Sequence, residues 1–228
     1  MSTKSSRGTA IVLLLATVAL LWFEIPDFLR WIRVQRAIHQ IGSESKEEVD
    51  QARRRLLAIG TAALPVLLRE IGDPGQVHCE RLAEVARAID AAGAVGQIAP
   101  RLAGPRAEDR AAAARLLGRL KTEEAVPFLV PRLLDHDATV VSDTVIALAF
   151  IGSPKALPAL RELLVKGPAD ARAMAAYGLG MLRDRESISL LERALRDTAE
   201  NVRFQSERAL GAMSRDAEPA SSSPENPR

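Results

Sequence analysis

Aromatic residues are scarce in this sequence: Phe, Trp and Tyr make up 4% of 228 residues, although 47% of the chain is hydrophobic. A sheet draws on Val, Ile, Tyr and Phe, whereas Ala and Leu dominate here and suit thin helices packed in layers, so an all-α fold is expected. Cys79 is the only cysteine, which excludes an intramolecular disulfide and a cysteine-rich zinc framework. Histidine is equally sparse, at His39, His78 and His136, which leaves little material for a metal or acid/base constellation. Lys and Arg exceed Asp and Glu by a formal +2 with a pI near 9.0, but the two signs are mixed along the chain. No basic stripe neutralises phosphates, so nucleic acid is not an expected partner.

One long apolar run is present. Residues 9–23, TAIVLLLATVALLWF, are uncharged and follow Lys4 and Arg7. A positive n-region and a hydrophobic segment define a signal-anchor, and residues 9–27 are read as a transmembrane helix after a cytoplasmic n-region of residues 1–8. A cleaved signal peptide is the main alternative. The apolar run, however, continues through Leu20 to Phe23, beyond the Thr17 and Ala19 pair where cleavage would have ended it. Residues 28–44 then read as a juxtamembrane helix whose Arg30, Arg33 and Arg36 reach lipid headgroups, or else form a solvated face of the first packed helix. Lys4 and Arg7 favour a cytoplasmic N-terminus, which places the bulk of the chain outside the cytoplasm, in the periplasm of a bacterial host. The three arginines beyond the segment pull the other way.

The rest of the chain repeats. At a spacing of 31 residues, Leu64, Val95, Val126, Leu157 and Ile188 align; so do Leu67, Ile98, Leu129, Leu160 and Leu191, and Ile71, Leu102, Leu133, Leu164 and Leu195. All fifteen positions are aliphatic, a coincidence of roughly one in 10⁵ at this composition. The columns fall at i, i+3 and i+7, one face of a helix, here termed the second helix of each unit. Upstream, Leu117, Leu148, Leu179 and Leu210 mark a first helix, with Gly118, Ala149, Gly180 and Gly211 beside them for close backbone approach. Each unit is an antiparallel pair too small to bury its own apolar face, so the units stack into an α-solenoid over residues 45–213. Residues 214–228, rich in Ser and Pro, are expected to be disordered.

The stretch AVPFLVPRLLDHD at 125–137 is then one period of the repeat. Pro127 lies in the first turn of a second helix, where a missing N–H costs nothing. Pro131, like Pro100 one period earlier, is expected to bend that helix or delay it. Asp135, His136 and Asp137 occupy the loop between repeats, with Asp137 an N-cap. His78 and Cys79 sit side by side at a helix start, about 100° apart on the helix, and make no nucleophilic pair.

With segments such as NVRFQSERALGAM and VIALAFIGSPKALPALRELL, the array resembles the HEAT-like repeats first associated with phycobilisome lyases. The resemblance implies a binding scaffold. It also maps a first-helix arginine onto Arg110, Arg172 and Arg203, with Val141 and Cys79 breaking any Asp to Arg ladder. We therefore expect a membrane-tethered scaffold for protein partners, with no cofactor and no catalysis of its own. Its partner surface is expected along the second helices at Arg69, Glu70, Arg101, Arg132, Glu162 and Arg193. The alternatives are a tetrapyrrole lyase or chaperone, for which the array offers few aromatics, and a structural or regulatory subunit of a membrane complex.

Overall fold

The computed structural model describes residues 28–73 and 77–214, and every regular element among them is helical. Helix α1 covers 28–41. It is followed by α2 (Lys46–Ile59), α3 (Leu64–Gly72), α4 (Cys79–Ile98), α5 (Ala107–Leu120), α6 (Val126–Leu129), α7 (Ala138–Ile151), α8 (Leu157–Lys166), α9 (Ala169–Met181), α10 (Ile188–Ala194) and α11 (Glu200–Ser214). The first helices α5, α7, α9 and α11 stack on one another in one layer, and second helices such as α3, α8 and α10 pack onto the first helix that follows them. This is the solenoid expected from the 31-residue period.

The aliphatic columns form its core. Leu64, Leu67, Ile71, Val95, Ile98, Leu102, Val126, Leu129, Leu133, Leu160, Leu164 and Leu191 are all buried. The small-residue column works as predicted where helices cross: a Cβ on Gly118 would come within 2.7 Å of Ala147 Cα, and one on Gly180 within 2.9 Å of Ala209 Cα. Turns between the paired helices share one backbone device, a residue of positive φ at Lys121, Gly152 and Arg183, one period apart; Gly60 in the shorter first turn also has positive φ, but with ψ at −148°. At the equivalent Asp90 the backbone is extended instead, and its carboxylate accepts from Gly93 N at 2.8 Å, capping the second half of α4. Residues 91–96, AAGAVG, are thus helical after a one-residue break.

The two prolines act as expected. Pro127 sits in the first turn of α6, after which the backbone tightens to a 3₁₀ helix over Val130–Leu134 around Pro131. Ala99–Ala103 does the same around Pro100, while α3 and α8, without the second proline, stay α-helical.

Helix α1 departs from the sequence reading. Val34, Ala37, Ile38 and Ile41 are buried in the common core, so its second half is an integral layer of the array. Its first half, with Phe28 stacked on Trp31 at 6.1 Å, is exposed. Among the described residues no helix is long and apolar enough to cross a membrane. The expected n-region (1–8) and span (9–27) lie outside the described residues, as does the expected tail beyond Ser214, which itself ends α11.

Candidate partner-binding surface

Along the second-helix face, the six residues expected to meet a partner divide into engaged and open positions. Arg69 pairs with Glu70 at 3.0 Å, and Gln35 also donates to Glu70. Arg132 Nη1 donates to the Leu102 carbonyl at 3.1 Å, tying one second helix to the previous one. Glu162 pairs with Lys166 at 2.9 Å, one turn on in α8, while Arg101 and Arg193 are exposed. They line one face of the array without converging on a single point. Arg30, Arg33 and Arg36 are exposed on α1, away from these positions in sequence.

Between the second helices of the third and fourth repeats lies a recess of about 300 Å³, lined by Val130, Leu133, Leu134, Ala159, Leu163 and Pro168. Glu162 and Lys166 stand at its rim. Leu134 is 83% exposed, far more than a packed helix needs to leave in water. Phe128 and Val165, on the same two second helices, are also exposed. The recess escaped the column analysis because Leu134 lies outside the three buried columns. The apolar run FLVPRLL, with its extra leucine, is the signal that marks it.

The loop edge carries a different chemistry. Arg110 Nε and Nη2 grip both oxygens of Asp135 at 2.8 Å, and its Nη1 donates to the carbonyls of Gly104 and Pro105. Both side chains are nearly sealed from water, at 5% and 3% exposure, so the charges need each other. Hydrogen bonding from Arg110 holds the Asp135 carboxyl below the usual carboxylate range. Arg172 repeats the fork on Asp197, at 2.8 and 2.7 Å, and lowers that carboxyl in the same way. The residues flagged as a possible acid/base cluster therefore have structural roles: Asp135 locks two loops together, Asp137 accepts from Thr139 N and Val140 N as the N-cap of α7, and the His136 side chain is exposed. Among the described residues, no cluster of three or more His, Cys, Asp or Glu is placed to hold a metal ion.

On the opposite edge, Arg161 of α8 forks onto Asp184 at 2.6 Å and reaches Glu186 at 2.8 Å, and those hydrogen bonds raise the guanidinium pKa further. Glu123 takes hydrogen bonds from Ser153 and Lys155, joining two successive turns. Neither contact was legible in the sequence, because the partners lie 23 to 32 residues apart and in different columns.

Residues 95–173 match the family model for HEAT repeats, and residues 171–197 match the model for the PBS lyase HEAT-like repeat. Among curated proteins, none matches the chain. Similar solved structures include human deoxyhypusine hydroxylase in complex with glycerol, 17% identical over 80% of this chain and 74% of that one, with a TM-score of 0.49. An engineered protein is 22% identical over 80% of this chain and 96% of its own, with a TM-score of 0.43. The complex of CpcE and CpcF of phycocyanin lyase from Nostoc is 22% identical, covering 79% and 76%, with a TM-score of 0.39.

Proposed function

Since residues 95–197 match HEAT and HEAT-like repeat models, we propose that the chain is a membrane-tethered scaffold that binds a protein partner across its second-helix face and performs no catalysis of its own. The observation that carries this reading is the recess beside Leu134: apolar, rimmed by one acidic and one basic side chain, and left open by the array's own packing. An apolar anchor inside a polar rim is the anatomy of a protein interface. The tether rests on the apolar run at residues 9–23, and Lys4 and Arg7 before it argue for a repeat domain outside the cytoplasm. Exposed Phe28 and Trp31, with Arg30, Arg33 and Arg36 on the same helix, suit the boundary of a bilayer next to it.

The test uses a photo-crosslinking residue at position 134 in intact cells, with Phe150 on first helix α7 as the control position. A discrete crosslinked species at 134, lost when a charge is introduced at the neighbouring Ala159 (Ala159→Asp) and absent at 150, is the expected result. Equal labelling at both positions would remove the second-helix face as the interface, and a pigment copurifying with the chain would favour the tetrapyrrole alternative. Protease treatment of intact and lysed spheroplasts, following a tag after Arg228, reports orientation: early loss of the tag is expected.

A further inference from the structure

Arg203 repeats a geometry that is complete twice earlier in the chain. Its Nη1 donates to the carbonyls of Asp197 and Thr198 at 2.8 and 3.1 Å, six and five residues back, as Arg110 Nη1 donates to Gly104 and Pro105 six and five back. In Arg110 and Arg172 the remaining fork, Nε and Nη2, closes on an aspartate. In Arg203 that fork meets no hydrogen-bond acceptor among the described residues. The guanidinium is held in the orientation its counterparts use and lacks only the carboxylate.

A second observation lies close by. Ile71, Leu102, Leu133 and Leu164 are each at most 4% exposed, but Leu195, the last member of their column, is 39% exposed, with no further second helix beyond it among the described residues. In the two complete cases the aspartate follows its column leucine by two residues, as Leu133 with Asp135 and Leu195 with Asp197. It also accepts from the backbone N–H two residues further on, at Asp137 N and Ala199 N, 3.0 and 2.9 Å away. A glutamate is one methylene too long to serve both the turn and the fork.

We propose that the C-terminal end of the array is a docking site for a partner protein, whose docking element is an aliphatic-x-Asp turn at the head of a helix: the aliphatic side chain covers Leu195 and the aspartate enters the fork of Arg203. The site is separate from the recess at Leu134. A bidentate arginine selects a planar carboxylate, which fixes the chemistry of the partner. The sequence after Ser214 contains no aliphatic-x-Asp element, its Asp216 being preceded two residues earlier by Ser214. Of the chain's own turns of this kind, those at Asp135 and Asp197 are already engaged within the array, and Asp73, two residues after Ile71, has a partner as well.

A tethered probe tests the site in the otherwise intact chain. Residues 214–228 are replaced by a second copy of residues 183–214, which places a copied Leu195 and Asp197 at positions 226 and 228, one period of 31 beyond the originals and with the copied aspartate 25 residues after Arg203, the spacing of the two complete forks. The extension is expected to raise Tm by about 5 °C. Arg203→Gln and the Asp→Asn change in the copied turn should each remove most of that gain, and the double variant should lose no more than either single one. Leu134→Asp should leave the gain untouched. Additive losses, or an extension that brings no gain, would overturn the proposal. So would an Arg203→Gln effect on the original chain that vanishes when residues 215–228 are removed, because the tail would then be the occupant. A concentration-dependent dimer abolished by Arg203→Gln would overturn it in favour of a second copy.

Discussion

Arg110 and Asp135 make the clearest case for what one side chain contributes to this molecule. Both are sealed from water, and the fork leaves neither charge uncompensated. Asp135→Asn should lower Tm by about 10 °C at pH 7, since removing one partner strands a buried guanidinium. Because Arg110 depresses the Asp135 carboxyl in the folded state, its contribution is complete above the unfolded value near 4 and fades as pH falls through the lower folded value. Thermal melts of the two proteins should therefore begin to converge below about pH 4 and meet only once the pH has fallen beneath the depressed folded value. The pair was half legible: the resemblance to HEAT-like repeats mapped the arginine positions, whereas the aspartate passed for loop and cap chemistry because it sits beside His136 and Asp137. Only the fold brings residues 25 apart in sequence to 2.8 Å.

At the scale of helices, the columns of aliphatic and small residues carried most of the information. Gly118 is the sharpest test of the small column, for helix propensity and packing oppose each other there. Ala in its place gains about 1 kcal/mol of propensity but drives a Cβ to 2.7 Å from Ala147 Cα. Overpacking at a helix crossing costs about 1–3 kcal/mol, so Gly118→Ala should destabilise on balance in urea unfolding. Proline also read correctly, since a ring in the first turn is harmless and one four residues later is not. The single-residue joint at Asp90 was not legible. It depends on a side chain capping the next helix over a residue too small to obstruct it, for a Cβ on Gly93 would collide with the Asp90 carboxylate.

Across the whole molecule, the layer that the repeat columns left out is α1. Val34, Ala37 and Ile41 lie thirty residues before Leu64, Leu67 and Ile71, in the same i, i+3, i+7 frame. A shift of 31 lands instead on Arg33, Arg36 and Gln40, and so concealed a core helix behind a basic one. The cause is the first turn, one residue shorter than later ones, which slips the register of everything before it. Deleting residues 1–43 should consequently cost cooperativity as well as any tether: Tm should fall, and the exposed layer should bind a hydrophobic dye. The loop-edge forks bear on the molecule's mechanics as well. They are absent across the fourth repeat, where Val141 and Lys166 replace the arginine and the aspartate. There the two neighbouring turns are joined on the far edge by Lys155 and Glu123, both half in water. A joint fastened on one side pivots about that side. The apolar recess opens on the unfastened side, so a wedge inserted at Leu134 would change the curvature of the superhelix here, and the joint would grow more compliant as salt weakens the Lys155–Glu123 and Arg115–Asp143 pairs.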